Sequence, residues 1–104
     1  MSEQMIKVTA EDGYIFDAFR VVPDKTIKGG VVVLQEIFGM TEQLKNITRF
    51  WAGQGYDTIL PALYDRIEPG TVLSFSNMDK AQAMAKKLEP NDVLKDIKAT
   101  VGVV

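Results

Sequence analysis

The sequence predicts an α/β fold, in which an amino-terminal β-hairpin is followed by a βαβ parallel sheet with flanking helices. Residues 5–10 and 14–22 carry clusters of β-branched and aromatic side chains, and the Asp-Gly pair between them suits a tight turn. Residues 31–34 form a continuous aliphatic run, which is typical of a strand covered on both faces. A helical pattern and a second apolar run come next, so the order strand, helix, strand predicts a βαβ unit.

Size and composition indicate one ordinary globular domain. The chain has 104 residues, of which 46% are hydrophobic and 25% charged, and its net charge is −2. This charge offers no field that would attract nucleic acid or an anionic membrane. Because the sequence has neither a long apolar run nor a basic and apolar leader at its start, we expect a cytoplasmic protein with no membrane partner.

The chain contains no cysteine and no histidine. Disulfides, a thiol nucleophile and thiolate metal sites are therefore excluded, and the commonest general base and metal ligand is missing as well. We expect no cofactor and no metal.

A helix is predicted to begin at Thr41, which suits an N-cap, and to end at Gly53 or Gly55. Its apolar face has the spacing of one side of a helix and consists of Leu44, Ile47, Thr48 and Trp51. Residues 56–60 are then predicted to form a second parallel strand that Pro61 ends, with residues 31–34 as the central strand of the sheet.

The remaining residues predict a long irregular stretch and two helices. The stretch covers residues 62–77, and connections of this length are usually functional or mobile. Residues 78–88 have a helical apolar face, Pro90 terminates that helix, and Asn91 is predicted to cap the final segment. This segment fits either a helix or a strand that begins at Val101, and the helical spacing is favoured.

The predicted functional residue is Glu36, which follows the first parallel strand at its carboxyl end, where open α/β sheets bind ligands. Between Ile37 and Phe38, its carboxylate is expected to be partly desolvated, which would raise its pKa and suit it to exchanging a proton. A rim glutamate paired with a lysine or arginine is the alternative for Glu36, and core packing is the alternative for Ile37 and Phe38.

Three motifs at this spacing resemble one family. They are Leu-Gln-Glu-Ile-Phe-Gly at residues 34–39, Gly-Tyr at residues 55–56, and Pro-Ala-Leu-Tyr-Asp-Arg at residues 61–66. The chain resembles the amino-terminal half of the dienelactone hydrolases, a branch of the α/β-hydrolase fold. The resemblance therefore implies a partial α/β-hydrolase fold and hydrolysis of carboxylic esters or lactones.

The resemblance also implies two catalytic roles. The matching glutamate in the family lies beside a nucleophilic cysteine and helps to switch it between resting and reactive states, and this role falls on Glu36. The matching isoleucine gives its backbone N–H to the oxyanion hole, so Ile37 is the expected donor. One such donor raises the rate of acyl transfer by about 10²- to 10³-fold.

The family's nucleophile elbow, Gly-x-Cys-x-Gly, and the acid and histidine that come after it are not found in this sequence. The three serines, Ser2, Ser74 and Ser76, lie in no comparable motif. We therefore interpret residues 1–104 as one domain that forms the amino-terminal portion of such a hydrolase, without its nucleophile-bearing half, as a fragment or a shortened gene product. The chain alone is expected to be inactive.

Candidate substrate-binding residues are Phe38, Tyr64, Arg66 and Lys80. In the family, an arginine and a tyrosine on the segment that matches residues 78–88 hold the substrate carboxylate, whereas this chain has Lys80 and Met84 there. A lysine supplies a point charge and no bidentate clamp, so another ester or lactone is expected as substrate. The alternatives are a solvated helix lysine for Lys80 and loop structure for Tyr64 and Arg66.

A second hypothesis is a non-catalytic module that self-associates through the open edge of its sheet, since an unpaired strand edge invites another chain. A homo-oligomer is its expected partner arrangement. A nucleotide-binding βαβ unit is a third interpretation, but the loop after the first parallel strand lacks glycine richness, and its carboxylate would repel phosphate.

Overall fold

The computed structural model describes all 104 residues as one four-stranded mixed sheet with helices on its faces. The strands are β1 (Ser2–Thr9), β2 (Ile15–Val22), β3 (Gly29–Val32) and β4 (Tyr56–Pro61), and the α-helices are α1 (Glu42–Gly53), α2 (Met78–Lys87) and α3 (Pro90–Val101). Short 3₁₀ helices occupy Leu63–Arg66 and Phe75–Asn77. The predicted α/β class is confirmed.

The strands lie in the order β1-β2-β4-β3. β2 is antiparallel to both β1 and β4, whereas β3 and β4 are parallel. The prediction that residues 31–34 form the central strand is wrong, because β3 pairs only with β4 and its other edge is unpaired. The inner parallel strand is β4, whose residues from Asp57 onward are all buried.

The predicted hairpin is confirmed, with β1 beginning earlier than expected, at Ser2. Its register pairs Thr9 with Ile15, and Gly13 takes a φ of +88° in the turn. A glycine is needed there because side chains rarely adopt a positive φ.

Helix α1 connects β3 to β4, so the βαβ order is confirmed. The hydroxyl of Thr41 accepts a hydrogen bond from the Leu44 N–H at 3.3 Å, as expected of an N-cap. The predicted apolar face is only partly right. Leu44, Thr48 and Ala52 are buried against the sheet, whereas Ile47 and Trp51 are exposed.

The carboxyl-terminal segments agree with the prediction in all but one detail. Residues 62–77 contain no α-helix or strand, α2 buries Ala81 and Met84, and the last segment is the helix α3. Asn91 does not cap α3, because that helix already begins at Pro90. A proline suits the first helical turn, since its missing N–H would have no partner there.

Two hydrophobic clusters hold these elements to the two faces of the sheet. One joins β2 and β4 to α1 and consists of Phe19, Val21, Met40, Leu44, Ala52 and Leu60. The other joins β1, β2 and β4 to the end of the chain and consists of Val8, Ala10, Phe16, Ala18 and Ile59, with Ala99, Val103 and Val104 packed against it. No helix of the chain has the length and apolar character needed to cross a membrane.

Candidate functional site

Residues 35–39, here called the 35–39 loop, lead from the carboxyl end of β3 toward α1. The side chain of Gln35 joins this loop to the segment after β4. Its Oε1 accepts a hydrogen bond from the Leu63 N–H at 3.0 Å, and its Nε2 donates to the Glu36 carbonyl at 3.2 Å. The loop is therefore fixed to the carboxyl end of the neighbouring parallel strand.

Gly39 brings this loop against residues 71–73. Its φ is +84°, and a Cβ at this position would lie 2.4 Å from the Thr71 carbonyl oxygen. Gly39 also pairs with Val72 in an isolated bridge, and the Leu73 N–H donates to the Phe38 carbonyl at 2.8 Å. Only glycine permits both this backbone conformation and this close approach.

Tyr64 supports the 35–39 loop from inside the molecule. Its hydroxyl donates to the Ile37 carbonyl at 2.6 Å and also lies 3.3 Å from the Ala81 carbonyl of α2. Only 1% of the residue is exposed, and burial raises the pKa of Tyr64. This position favours support of the loop, because the side chain presents no open surface to a substrate.

Glu36 is exposed and Ile37 is half-buried in the 35–39 loop. The expected partial burial of Glu36 is not found in this chain, in which the residue is exposed. The alternative of an ion pair is not found either, since Glu36 forms none. The Ile37 N–H donates no hydrogen bond within the chain, so an amide donor and an exposed carboxylate are adjacent in this loop.

Phe38 contacts a residue that the sequence did not single out. Its ring is half-buried, and its centroid lies 5.1 Å from that of Phe75 at an interplanar angle of 58°. Phe75 itself is 79% exposed. The sequence did contain a signal for Phe75, which is a large aromatic residue between two serines in a predicted loop. A local polar turn does not require an aromatic side chain at such a position.

Arg66 lies in an ion-pair network. Its Nε and Nη2 each donate to Asp96 at 2.9 Å, and its Nη1 and Nη2 donate to Asp12 at 2.9 and 3.0 Å. Its guanidinium also stacks on the ring of Tyr14, 4.6 Å from the centroid. Because all three guanidinium nitrogens are engaged, the geometry favours a structural role for Arg66 over substrate binding.

These contacts shift the pKa values of the partners. The hydrogen bonds to Asp96 and Asp12 raise the pKa of Arg66, and the hydrogen bonds from Arg66 lower the pKa of Asp12 to about 2. Asp96 is 1% exposed and so depends on Arg66 as its charged partner. The sequence did not indicate this network, because its members come from a turn, a loop and a helix that are far apart along the chain.

Lys80 is exposed on α2, and its Nζ lies 3.4 Å from a carboxylate oxygen of Glu68. The hydrogen bond from the Thr71 hydroxyl, followed by the one from Lys80, lowers the pKa of Glu68. Met84, which stands on the same helix, is buried in the core and faces away from the surface. No group of three or more carboxylate side chains is arranged to hold a metal ion.

Comparison with known proteins matches residues 16–104 to the dienelactone hydrolase family. A protein of Methylorubrum extorquens, provisionally named a carboxymethylenebutenolidase, is 33% identical over 102 residues, which are 93% of this chain and 33% of that protein. The carboxymethylenebutenolidase of Pseudomonas putida is 34% identical over 73 residues, which are 70% of this chain and 31% of that enzyme.

A crystal structure from Klebsiella pneumoniae, whose name places it among the dienelactone hydrolases, has the same fold. The two structures superpose with a TM-score of 0.74 at 25% sequence identity. The superposed region covers 99% of this chain and 44% of the Klebsiella pneumoniae chain. The chain spans about a third of the length of the curated relatives that it matches. Because the family match covers residues 16–104, this chain belongs to the dienelactone hydrolase family.

Proposed function

We propose that this chain contributes the amino-terminal part of the active site of a carboxylic ester or lactone hydrolase. The observation that carries this proposal is the 35–39 loop, in which the unpaired Ile37 N–H is adjacent to the exposed Glu36 carboxylate. Acyl transfer also needs a nucleophile and a histidine, and the sequence has no cysteine or histidine. The 104-residue chain alone is therefore expected to be inactive.

In this proposal, Ile37 stabilises the oxyanion. When a nucleophile attacks the substrate carbonyl, its oxygen becomes negative, and a fixed backbone N–H stabilises that charge. Gly39, Gln35 and Tyr64 all restrain the loop that carries Ile37, so the donor would not have to reorganise during the reaction. Removing one such donor costs about 10²- to 10³-fold in rate.

Glu36 is proposed to exchange a proton with the nucleophile. The structure leaves its carboxylate without an ion-pair partner and exposed at the carboxyl end of a parallel strand. A segment that brought a nucleophile to this edge would also desolvate Glu36, and desolvation raises the pKa of a carboxyl group. That change would favour proton transfer between the two groups near neutral pH.

The proposed substrate is a small ester or lactone. The Pseudomonas putida relative is named a carboxymethylenebutenolidase, and we extend only the reaction class from it to this chain. Lys80 lies beside Glu68 and offers no bidentate clamp for a substrate carboxylate, and Arg66 is engaged elsewhere. The ring of Phe38 is the remaining candidate contact on the surface of the loop.

A chimera tests the role of Glu36. In it, this chain replaces the matching part of the Pseudomonas putida enzyme, which supplies the rest of the site. We expect the chimera to hydrolyse 4-nitrophenyl acetate and the 104-residue chain not to. Glu36→Gln should lower kcat by at least about tenfold, because it removes the proton-exchanging group without changing the size of the side chain.

Glu3→Gln is the matched control, because Glu3 pairs with Arg49 on the surface. This substitution is expected to leave kcat unchanged. A folded chimera whose kcat is insensitive to Glu36→Gln would contradict the proposal. If the chimera does not fold, the Ile37 amide of this chain can be followed by NMR during titration with a methylphosphonate monoester, a mimic of the oxyanion. Absence of a selective shift at that amide would count equally against the proposal.

A second candidate function is a non-catalytic module that self-associates. The observation in its favour is the unpaired outer edge of β3, beside which Leu34 is 48% exposed. An uncovered strand edge presents free N–H and C=O groups to another chain. The partner in this proposal is a second copy of the same chain.

A further inference from the structure

Phe75 is a large aromatic residue that lies on the surface and packs against little of the chain. It is 79% exposed, and its only aromatic neighbour is Phe38, whose ring centroid lies 5.1 Å away. The backbone holds this pair together, because the Leu73 N–H donates to the Phe38 carbonyl at 2.8 Å. Phe38 is two residues from Glu36, so Phe75 lies beside the 35–39 loop.

The surface next to Phe75 is concave and carries two carboxylates, those of Asp79 and Glu68, and one cation, that of Lys80. Residues 75–80 line an open depression of about 470 Å³. Phe75 stands at the start of this segment and Lys80 at its end, where the lysine charge is balanced by Glu68. A ligand here would meet the ring of Phe75 and the carboxylate of Asp79, and it would find no free cation to bind a carboxylate of its own.

We propose that Phe75 and Phe38 form an aromatic wall that selects esters and lactones whose acyl part carries a neutral planar ring. The proposal rests on the proposed hydrolase function and names its substrate class. Aromatic rings prefer offset-stacked or edge-to-face contacts, which a planar acyl group offers and a saturated ring of similar size does not. Phe75 acts here as a specificity-determining residue and takes no part in bond formation.

The first test measures binding to the 104-residue chain itself and needs no catalysis. Ligand-observed NMR compares methyl benzoate with methyl cyclohexanecarboxylate, which is of similar size but not planar. We expect methyl benzoate to bind more tightly and Phe75→Ala to weaken its binding about 3- to 10-fold, since aromatic contacts contribute in this range. Phe75→Tyr should retain the preference.

Phe50→Ala is the matched control, because Phe50 is also exposed but lies on α1 in contact with Trp51. It should leave the binding of both esters unchanged. Equal affinity for the two esters, or an equal loss in both phenylalanine variants, would overturn the proposal. The melting temperature of Phe75→Ala should stay close to that of the parent, since so exposed a ring contributes little to the core.

The second test uses the chimera and separates this proposal from the hydrolase function. Phe75→Ala should raise KM for the benzoate ester by the same 3- to 10-fold, and leave kcat and the KM for the saturated ester unchanged. If the chimera hydrolyses both esters and Phe75→Ala changes neither KM, the aromatic wall is refuted. If a folded chimera hydrolyses no ester while the chain still binds methyl benzoate through Phe75, the hydrolase function fails instead.

Discussion

At the scale of the residue, the conformation of the candidate site depends on Gly39. Its φ of +84° lies in a region that side chains avoid, and the Thr71 carbonyl occupies the space that a Cβ would need. Because Gly39 also pairs with Val72, the strain that a larger residue at position 39 would cause would act directly on the loop that carries Glu36 and Ile37. The glycine in this motif therefore has a steric reason that is independent of catalysis.

Gly39→Ala is expected to lower the free energy of unfolding by at least about 2 kcal/mol, from the unfavourable φ together with the contact with Thr71. Gly13→Ala is the matched control, because its φ is +88° but nothing lies within 4 Å of the added Cβ. It should cost only about 1 kcal/mol. Urea unfolding of both variants measures the difference, and equal losses would show that the contact with Thr71 is unimportant.

Asp12 provides a pH-dependent prediction at the same scale. Hydrogen bonds from Arg66 lower its pKa from 3.8 to about 2, so the folded state holds the charged form more strongly than the unfolded state does. The resulting stability is present above about pH 4 and is lost as the pH falls toward 2. Urea unfolding between pH 2 and 6 should therefore show a smaller acid-induced loss for Asp12→Asn than for the parent. Parallel pH profiles would contradict this assignment.

At the scale of the element, Arg66 joins three parts of the chain that no strand pairing connects. Its partners are Asp12 in the hairpin turn and Asp96 in α3, while Arg66 belongs to the 3₁₀ helix after β4. The Tyr14 hydroxyl donates to the Asp65 carbonyl beside it, and Asp65 accepts the Asp17 N–H at 2.8 Å. These contacts hold the segment after β4 against the hairpin.

Arg66→Met should lower the free energy of unfolding by about 3 kcal/mol, because it leaves the charge of Asp96 buried without its partner. Adding Asp96→Asn to that variant removes the uncompensated charge and should recover at least about 1 kcal/mol. Urea unfolding of the two single variants and the double variant measures this coupling. Strictly additive losses would show that Arg66 and Asp96 do not act as a pair.

At the scale of the whole molecule, the sheet ends at the short strand β3, which pairs with β4 and with no other strand. That strand has an unpaired outer edge and two exposed glycines, and Val104 packs against Gly30. The carboxyl end of β3 leads to the 35–39 loop, so a chain that paired with this edge would lie near Glu36.

The isolated chain is therefore expected to self-associate as its concentration rises, through the edge of β3. Leu34→Lys should suppress this association, because a charge beside an open strand edge opposes pairing. Leu94→Lys is the matched control, since Leu94 is 49% exposed but lies on α3. Sedimentation velocity measures the mass, and a chain that stays monomeric at millimolar concentration would refute the module hypothesis.

The family and the order of the elements could be predicted from the sequence because they depend on local patterns. The 35–39 motif, the turn at Gly13 and the cap at Thr41 each follow from residue types at fixed spacing. The α2 face and the helical last segment follow from periodicity in the same way. Local chemistry leaves few conformations open at such positions.

The position of β3 at the edge could not be predicted, because a continuous apolar run indicates burial but does not give the order of the strands. The contact between Phe75 and Phe38 was missed for a similar reason, since it joins two loops that are far apart along the chain.

The sequence alone thus determined the family, the hairpin, the βαβ order and the loop that carries Glu36 and Ile37. The three-dimensional structure was needed to show that Arg66 and Tyr64 support the fold, that Glu36 is exposed, and that Phe75 contacts Phe38. The physical reason is that local patterns fix backbone conformation, whereas burial and partner choice depend on segments far apart along the chain.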